Sequence, residues 1–170
     1  MGEIKSTLDL IMEKTKNLTM SAEEKEEVRR QEWLKKARGW IQKFLDDQID
    51  MDKVKNELLG KDYPLGWEKI LQEELITGLE PEGENEKRFQ LIKELLGIPE
   101  DRFRKVQEDF HQRLAREGDK RTALLKDQLS KQGVSGSAVI PNLARDPSWK
   151  RFYDQEKQAS KERWQAFINN

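Results

Sequence analysis

Apolar residues recur every three or four positions along most of this chain, which is the spacing of residues on one face of an α-helix. Almost no segment alternates with the period of two that is typical of a β-strand. The longest regular stripe advances in alternating steps of four and three through Arg30, Leu34, Ala37, Ile41, Phe44 and Gln48. The sequence therefore predicts an all-α protein, an irregular helical bundle of five to seven helices.

The start of this stripe carries a strong signal for a helix N-terminus. In Ser21-Ala22-Glu23-Glu24, the Ser21 hydroxyl can accept a hydrogen bond from the Glu24 backbone amide. The Glu24 carboxylate can in turn accept one from the Ser21 amide. This capping box predicts a helix from residue 22 to about residue 48, which we expect to be the longest element of the protein.

The other helices are predicted from residues that favour helix starts and ends. Proline suits the first turn of a helix, and glycine suits the left-handed position that follows one. A short helix from Met51 to Leu59 would end at Gly60, and Asp62-Tyr63-Pro64 would open the next one. Further helix ends are expected at Gly78 and Gly97, and further starts at Pro99 and Asp146-Pro147.

At Gly118-Asp119 the sequence does not decide whether one helix ends or continues. The helical pattern that begins near Pro99 continues to Gln132. Glycine in a helix interior costs about 1 kcal/mol relative to alanine. We favour a break or kink at this pair, and one continuous helix is the alternative.

Two stretches define the expected domain organisation. Residues 1–20 carry a narrow apolar stripe that includes Ile4, Leu8 and Ile11, and are predicted to form an amphipathic helical arm. Residues 21–170 are expected to form a single helical-bundle domain. Within it, residues 132–144 contain no charge and predict an ordered loop, which could also form the lip of a binding site.

The composition removes most of the side chains that enzymes commonly use. The chain has 32 Lys and Arg, 33 Asp and Glu, one His and no Cys. Disulfides, thiolate catalysis and Cys-based zinc sites are therefore excluded. Glu108 and His111 have the Glu-x-x-His spacing of di-iron bundles, but such a site needs a second His. The sequence predicts no catalytic residue, cofactor or metal site, although carboxylate chemistry stays open.

The distribution of charge bears on partners and location. The net charge of −1 predicts no global attraction to nucleic acid or to acidic membranes. No apolar run approaches the ~20 residues that span a bilayer, and no secretory signal is visible, so a cytoplasmic location is expected. The acidic clusters at residues 46–52 and 80–86 are interpreted as an exposed helix end and an exposed turn.

The candidate partner-binding residues lie in two segments. Trp33 and Trp40 share a helix face within the basic stretch 29–43, and Ile4, Leu8 and Ile11 form the apolar stripe of the N-terminal arm. Such a stripe can dock onto its own bundle or into a groove of another protein. Basic residues with aromatic ones can also bind single-stranded nucleic acid, which makes the 29–43 helix a less favoured nucleic-acid site.

The opening residues, Gly-Glu-Ile-Lys-Ser-Thr-Leu-Asp-Leu-Ile-Met-Glu-Lys-Thr-Lys, resemble the start of uncharacterised bacterial helical proteins. The resemblance covers about the first 30 residues. It implies a bacterial, cytoplasmic source and transfers no function or site.

The leading functional hypothesis follows from the missing catalytic groups. We expect a non-enzymatic protein-protein interaction or scaffold protein that contacts a protein partner, or itself, through helical faces. The alternative is a small-ligand-binding protein or carboxylate-dependent enzyme with a pocket inside the bundle, using acidic and basic residues with Tyr63 or Tyr153.

Overall fold

All regular secondary structure of the described residues is helical, as the sequence predicts. The structure is a computed structural model that describes residues 20–60 and 63–168. Within these ranges it contains six α-helices and one 3-10 turn, and no β-strand. The elements are α1 (Ala22–Leu45), α2 (Met51–Leu58), α3 (Trp67–Thr77), α4 (Glu86–Leu96), α5 (Asp101–Lys131), the 3-10 turn (Leu143–Arg145) and α6 (Pro147–Ala166).

The chain divides into two compact units. Unit 1 is Met1–Leu71, and unit 2 is Gln72–Asn170, so the boundary falls within α3. The expected single domain over residues 21–170 stays a prediction. The expected arm over residues 1–20 lies almost wholly outside the described residues, which begin at Met20.

The predicted capping box at the start of α1 is confirmed. The Ser21 backbone N–H donates to Glu24 Oε2 at 2.7 Å, and the Glu24 N–H donates to Ser21 Oγ at 3.2 Å. The helix ends at Leu45, three residues before the predicted end at residue 48. It stops there because Asp47 adopts a left-handed conformation, with φ of 57°, which cannot continue a right-handed helix.

Unit 1 has a small core between α1 and α2. The buried side chains of α1 follow one helical stripe, and α2 faces it with two aliphatic residues. The short α2 is capped by Asp50, whose Oδ1 accepts the Lys53 N–H at 2.8 Å. The buried core residues of the two helices are Trp33, Ala37, Ile41, Phe44, Val54 and Leu58.

Unit 2 is organised by the helical hairpin of α5 and α6. Trp164 Nε1 donates to the Phe103 carbonyl at 3.1 Å, and further along the pair Trp149 lies beside Gly118. Residue numbers therefore rise along α5 as they fall along α6, so the two helices are antiparallel. The core that they share with α3 and α4 contains Leu75, Ile76, Phe89, Leu91, Ile92, Phe103, Val106, Phe110 and Trp164.

Helix α5 runs without interruption through Gly118, so the favoured break at this residue is wrong. A Cβ atom at Gly118 would lie 3.5 Å from the Trp149 ring, which is an ordinary contact, so the glycine marks a close approach of α6. The Arg121 Nε to Glu117 Oε1 ion pair, at 2.7 Å, spans the same turn. Thirty-one residues of helix make α5, not α1, the longest element of the described chain.

Most predicted termini agree with the structure. Gly97 adopts a left-handed conformation after α4, with φ of 65°. Asp146 caps α6 by accepting the Ser148 N–H at 2.9 Å, and Pro147 is its first residue. Pro99 differs, because it precedes the first residue of α5, Asp101, by two positions.

Candidate partner-binding groove

An open groove lies in unit 1 between α1 and the C-terminal end of α2. Its volume is about 370 Å³. One wall is a flank of α1, and the other is formed by α2 and the residues that follow it. We name it the tryptophan groove, and its lining residues are Arg29, Glu32, Trp33, Lys36, Trp40, Asn56, Glu57, Leu58 and Gly60.

The two candidate tryptophans both line this groove, but they differ in accessibility. Trp33 is only 8% exposed, and its ring packs edge-on against Trp67 with a centroid separation of 6.2 Å. Trp40 is half-buried, and the Lys43 ammonium lies 4.4 Å from the centroid of its ring. Trp33 is therefore mainly a core residue, whereas Trp40 offers an aromatic surface to a partner.

The rim of the groove carries both signs of charge. Arg29 and Lys36 stand on α1 with Glu32 between them, and Glu57 lies on the α2 side. Arg29 also pairs with Glu26, at 4.0 Å. The basic stretch 29–43 therefore does not form a purely cationic surface here.

Sequence reasoning found only one side of this site. The α2 wall was missed, because Asn56 and Leu58 approach α1 through tertiary packing that no local pattern reveals. The remaining candidate residues, Ile4, Leu8 and Ile11, lie outside the described residues.

The tyrosines of the alternative hypothesis have structural contacts. The Tyr63 ring packs on Trp67, with a centroid separation of 5.3 Å. The Tyr153 hydroxyl donates to Glu82 in unit 2. Neither residue lines the tryptophan groove.

The acidic segment 80–86 is more than an exposed turn, because lysines of α6 bind it. Lys161 Nζ lies 2.6 Å from Glu80 Oε1, and Lys157 Nζ lies 2.5 Å from Glu82 Oε1. The hydrogen bond from Lys161 lowers the pKa of Glu80 below its ordinary value. The hydrogen bond to Glu82 raises the pKa of Lys157. These shifts arise mainly from ion pairing, and the carboxylates remain largely exposed.

The same turn is also held by the side-chain amides of buried Asn85 and half-buried Gln107. The Asn85 side chain donates to the Glu80 carbonyl at 2.7 Å, and its Oδ1 accepts the Glu80 N–H at 3.2 Å. Gln107 of α5 donates to the Gly83 carbonyl at 2.7 Å. The segment is thus a well-ordered part of unit 2.

The single histidine stands on the surface of α5. His111 is exposed, and its ring centroid lies 5.6 Å from that of Phe110. Across residues 20–60 and 63–168, no cluster of three His, Asp or Glu side chains is arranged to hold a metal ion. No helix in the same ranges is long and apolar enough to cross a membrane.

Comparison of the sequence with protein families, with curated proteins and with solved structures finds no match.

Proposed function

We propose that this is a non-enzymatic interaction or scaffold protein, which binds a protein partner through helical faces, with the tryptophan groove as its principal contact. The observation that carries the proposal is the half-buried Trp40 at the edge of an open groove. Tryptophan dominates the binding energy of many protein interfaces because it combines a large apolar surface with a hydrogen-bond donor.

The dimensions of the groove suit a helical ligand. Its α1 wall extends from Arg29 to Trp40, about 16 Å at 1.5 Å per residue, which matches three turns of a partner helix. The rim of mixed charge, with Arg29 and Lys36 near Glu32 and Glu57, favours a partner helix that also carries both signs. The proposal includes the bacterial, cytoplasmic source that the resemblance of the first residues implies.

The test compares Trp40→Ala with a matched control on the same helix. Val28→Ala also removes an exposed apolar side chain from α1, but Val28 does not line the groove. Each full-length variant would be used to capture binding proteins from an extract of the source cells. A captured partner would then be titrated against the purified chain. We expect Trp40→Ala to weaken partner binding by at least tenfold, as truncation of an interface tryptophan commonly does, and Val28→Ala to leave it unchanged.

Light scattering on the pure protein separates self-association from binding to another protein. Trp33→Ala is unsuitable for this experiment, because loss of a buried core side chain would destabilise unit 1. Equal partner binding by the Trp40→Ala and Val28→Ala variants would contradict the role of the groove. A monomer that captures nothing would contradict the scaffold function itself.

A further inference from the structure

The end of the α5–α6 hairpin exposes apolar side chains that no helix within residues 20–60 and 63–168 covers. We define the hairpin end as residues 120–151, which include the last turns of α5, the uncharged loop, the 3-10 turn and the start of α6. None of its side chains is buried. Ile140 is 87% exposed, and Leu124 and Val134 are each about half exposed.

The hairpin end also concentrates positive charge. It contains seven basic residues and two acidic ones. Both acidic residues are already neutralised within it, Asp127 by Lys131 at 2.6 Å and Asp146 by Arg121 at 3.8 Å. The cations of the hairpin end that form no ion pair with any described residue are Lys126, Arg145, Lys150 and Arg151.

One of these cations borders an apolar groove. The groove has a volume of about 370 Å³ and lies between the end of α5 and the chain that returns to α6. Leu125, Leu129 and Pro141 supply its apolar surface, and Arg145 stands beside them. This arrangement places a guanidinium next to a surface that aliphatic chains can occupy.

The near-zero net charge of the chain conceals this basic surface. Residues 73–100 carry eight acidic and three basic residues, which offset the excess at the hairpin end. Surface charge acts over about one Debye length, which is 8–10 Å at physiological salt. A local cationic surface can therefore attract an anionic ligand although the whole chain is almost neutral.

We propose that the hairpin end binds the surface of an anionic lipid bilayer. Lys126, Arg145, Lys150 and Arg151 would contact lipid phosphates, while Ile140 and Val134 of the uncharged loop enter the boundary between headgroups and acyl chains. Each basic residue near an anionic leaflet strengthens binding about fivefold, so four give measurable peripheral attachment. This goes beyond the proposed partner function and does not depend on the tryptophan groove.

Two features favour a bilayer over nucleic acid as the anionic ligand. The exposed apolar residues of the hairpin end are aliphatic, whereas surfaces that bind single-stranded nucleic acid rely on aromatic residues that stack with bases. The only aromatic residue of the hairpin end, Trp149, packs against Gly118. An uncharged loop flanked by lysine and arginine fits the lipid interface instead.

The experiment is co-sedimentation of the full-length protein with vesicles. One set contains phosphatidylcholine alone, and the other contains about 30% phosphatidylglycerol, both at about 0.1 M salt. We expect binding to be at least tenfold tighter to the anionic vesicles and to be largely lost at about 0.5 M salt. Trp40→Ala should leave vesicle binding unchanged.

Matched variants assign the effect to the hairpin end. Arg145→Glu with Lys150→Glu should weaken binding to anionic vesicles by at least tenfold. The control, Lys35→Glu with Lys105→Glu, makes the same change in net charge at exposed lysines elsewhere and should have little effect. Ile140→Ser should weaken binding several-fold, whereas Leu65→Ser, at an equally exposed apolar residue (86%), should not.

Three results would overturn the proposal. Equal binding to neutral and anionic vesicles would exclude recognition of lipid charge. Equal losses in the two charge-reversed double variants would mean that only global charge matters. Tighter binding to soluble polyglutamate than to vesicles, abolished by the Arg145 and Lys150 changes, would assign the surface to an acidic protein.

Discussion

The two halves of α5 lie in opposite environments although they belong to one continuous helix. In the first half, Phe103, Val106 and Phe110 are buried, and the Phe103 ring lies 6.4 Å from that of Phe89 in α4. In the second half no side chain is buried, and the helix packs beside the start of α6 and the chain leading to it. The first half builds the core of unit 2, and the second half builds a surface.

The difference shows that a helix can continue beyond the core that anchors it. Helix formation is cooperative, so each further turn adds hydrogen bonds without a new nucleation cost. The second half also has its own local support, from the Glu117–Arg121 and Asp127–Lys131 pairs at 2.7 and 2.6 Å. Such pairs each contribute only about 0.2–0.5 kcal/mol. The second half therefore stays helical without burying its side chains, which leaves them accessible to a ligand.

Removing an aromatic side chain from the first half should give the largest effect. Phe103→Ala deletes a fully buried ring that contacts Phe89 and Phe167, and should lower the free energy of unfolding by about 3–5 kcal/mol. Leu124→Ala removes a half-exposed side chain from the second half and should cost about 0.5 kcal/mol. Urea denaturation of both variants measures the difference, and similar losses would contradict the contrast between the two halves.

Filling the close approach at Gly118 should give a smaller effect of opposite sign. Gly118→Ala should stabilise the protein by about 1 kcal/mol, because alanine has the higher helix propensity and its methyl group would meet Trp149 at an ordinary contact distance. The reciprocal control is Ala115→Gly, at an exposed position of the same helix, which should destabilise by a similar amount. Loss of stability in the Gly118→Ala variant would show that the second half is tightly packed after all.

The ion pairs around the turn at residues 80–86, which packs on the first half, should give the smallest effect. The folded state lowers the pKa of Glu80. The stabilisation that ionised Glu80 gives the folded state is therefore fully present above about pH 5 and is lost as the pH falls through the folded-state pKa. The folded state raises the pKa of Lys157. The stabilisation that protonated Lys157 gives the folded state is therefore fully present below about pH 10 and is lost as the pH rises through the folded-state pKa. Because Glu80 is about half exposed and Lys157 is only partly buried, each ion pair should contribute less than about 1 kcal/mol to the free energy of unfolding.

Stability measured across this pH range checks the assignment. Lys161→Gln should flatten the acid side of the stability curve, because it removes the main cause of the Glu80 shift. Lys105→Gln is the control, since Lys105 is exposed and forms no ion pair with the described residues. If the Lys161→Gln variant kept the same loss of stability at acid pH, the role given to the Glu80–Lys161 pair would be contradicted.

Local signals predicted the helix termini well, and they failed where the outcome depended on distant residues. Ser21, Gly97 and Asp146 act through neighbours within four positions, so their roles were visible in the sequence. The break expected at Gly118 does not occur, and the packing of Trp149 from another helix against this turn is not visible in the local sequence. The ion pairs of Glu80 were invisible for the same reason, since Lys161 lies 81 positions away.

The candidate site shows the same limit. Trp33 and Trp40 share one helix face and are equivalent in the sequence. In the structure Trp67 packs against Trp33, whereas Trp40 stays half-exposed. The uncharged loop was recognised as a candidate lip because its composition is local. Its association with Arg145 and Leu125 in one groove requires the folded hairpin.

The hydrogen bond from the Gln72 side chain to the Phe167 carbonyl joins residues 95 positions apart, at 3.0 Å. Helical proteins usually fold rapidly, because most of their contacts join residues that are near in sequence. In unit 2 the Phe103 carbonyl accepts a hydrogen bond from Trp164, and the Phe103 ring packs against Phe167, both more than sixty positions away. Bringing such distant residues together carries an entropic cost before their contacts form. We therefore expect docking of α6, which forms these contacts, to be the step that limits the folding rate of unit 2.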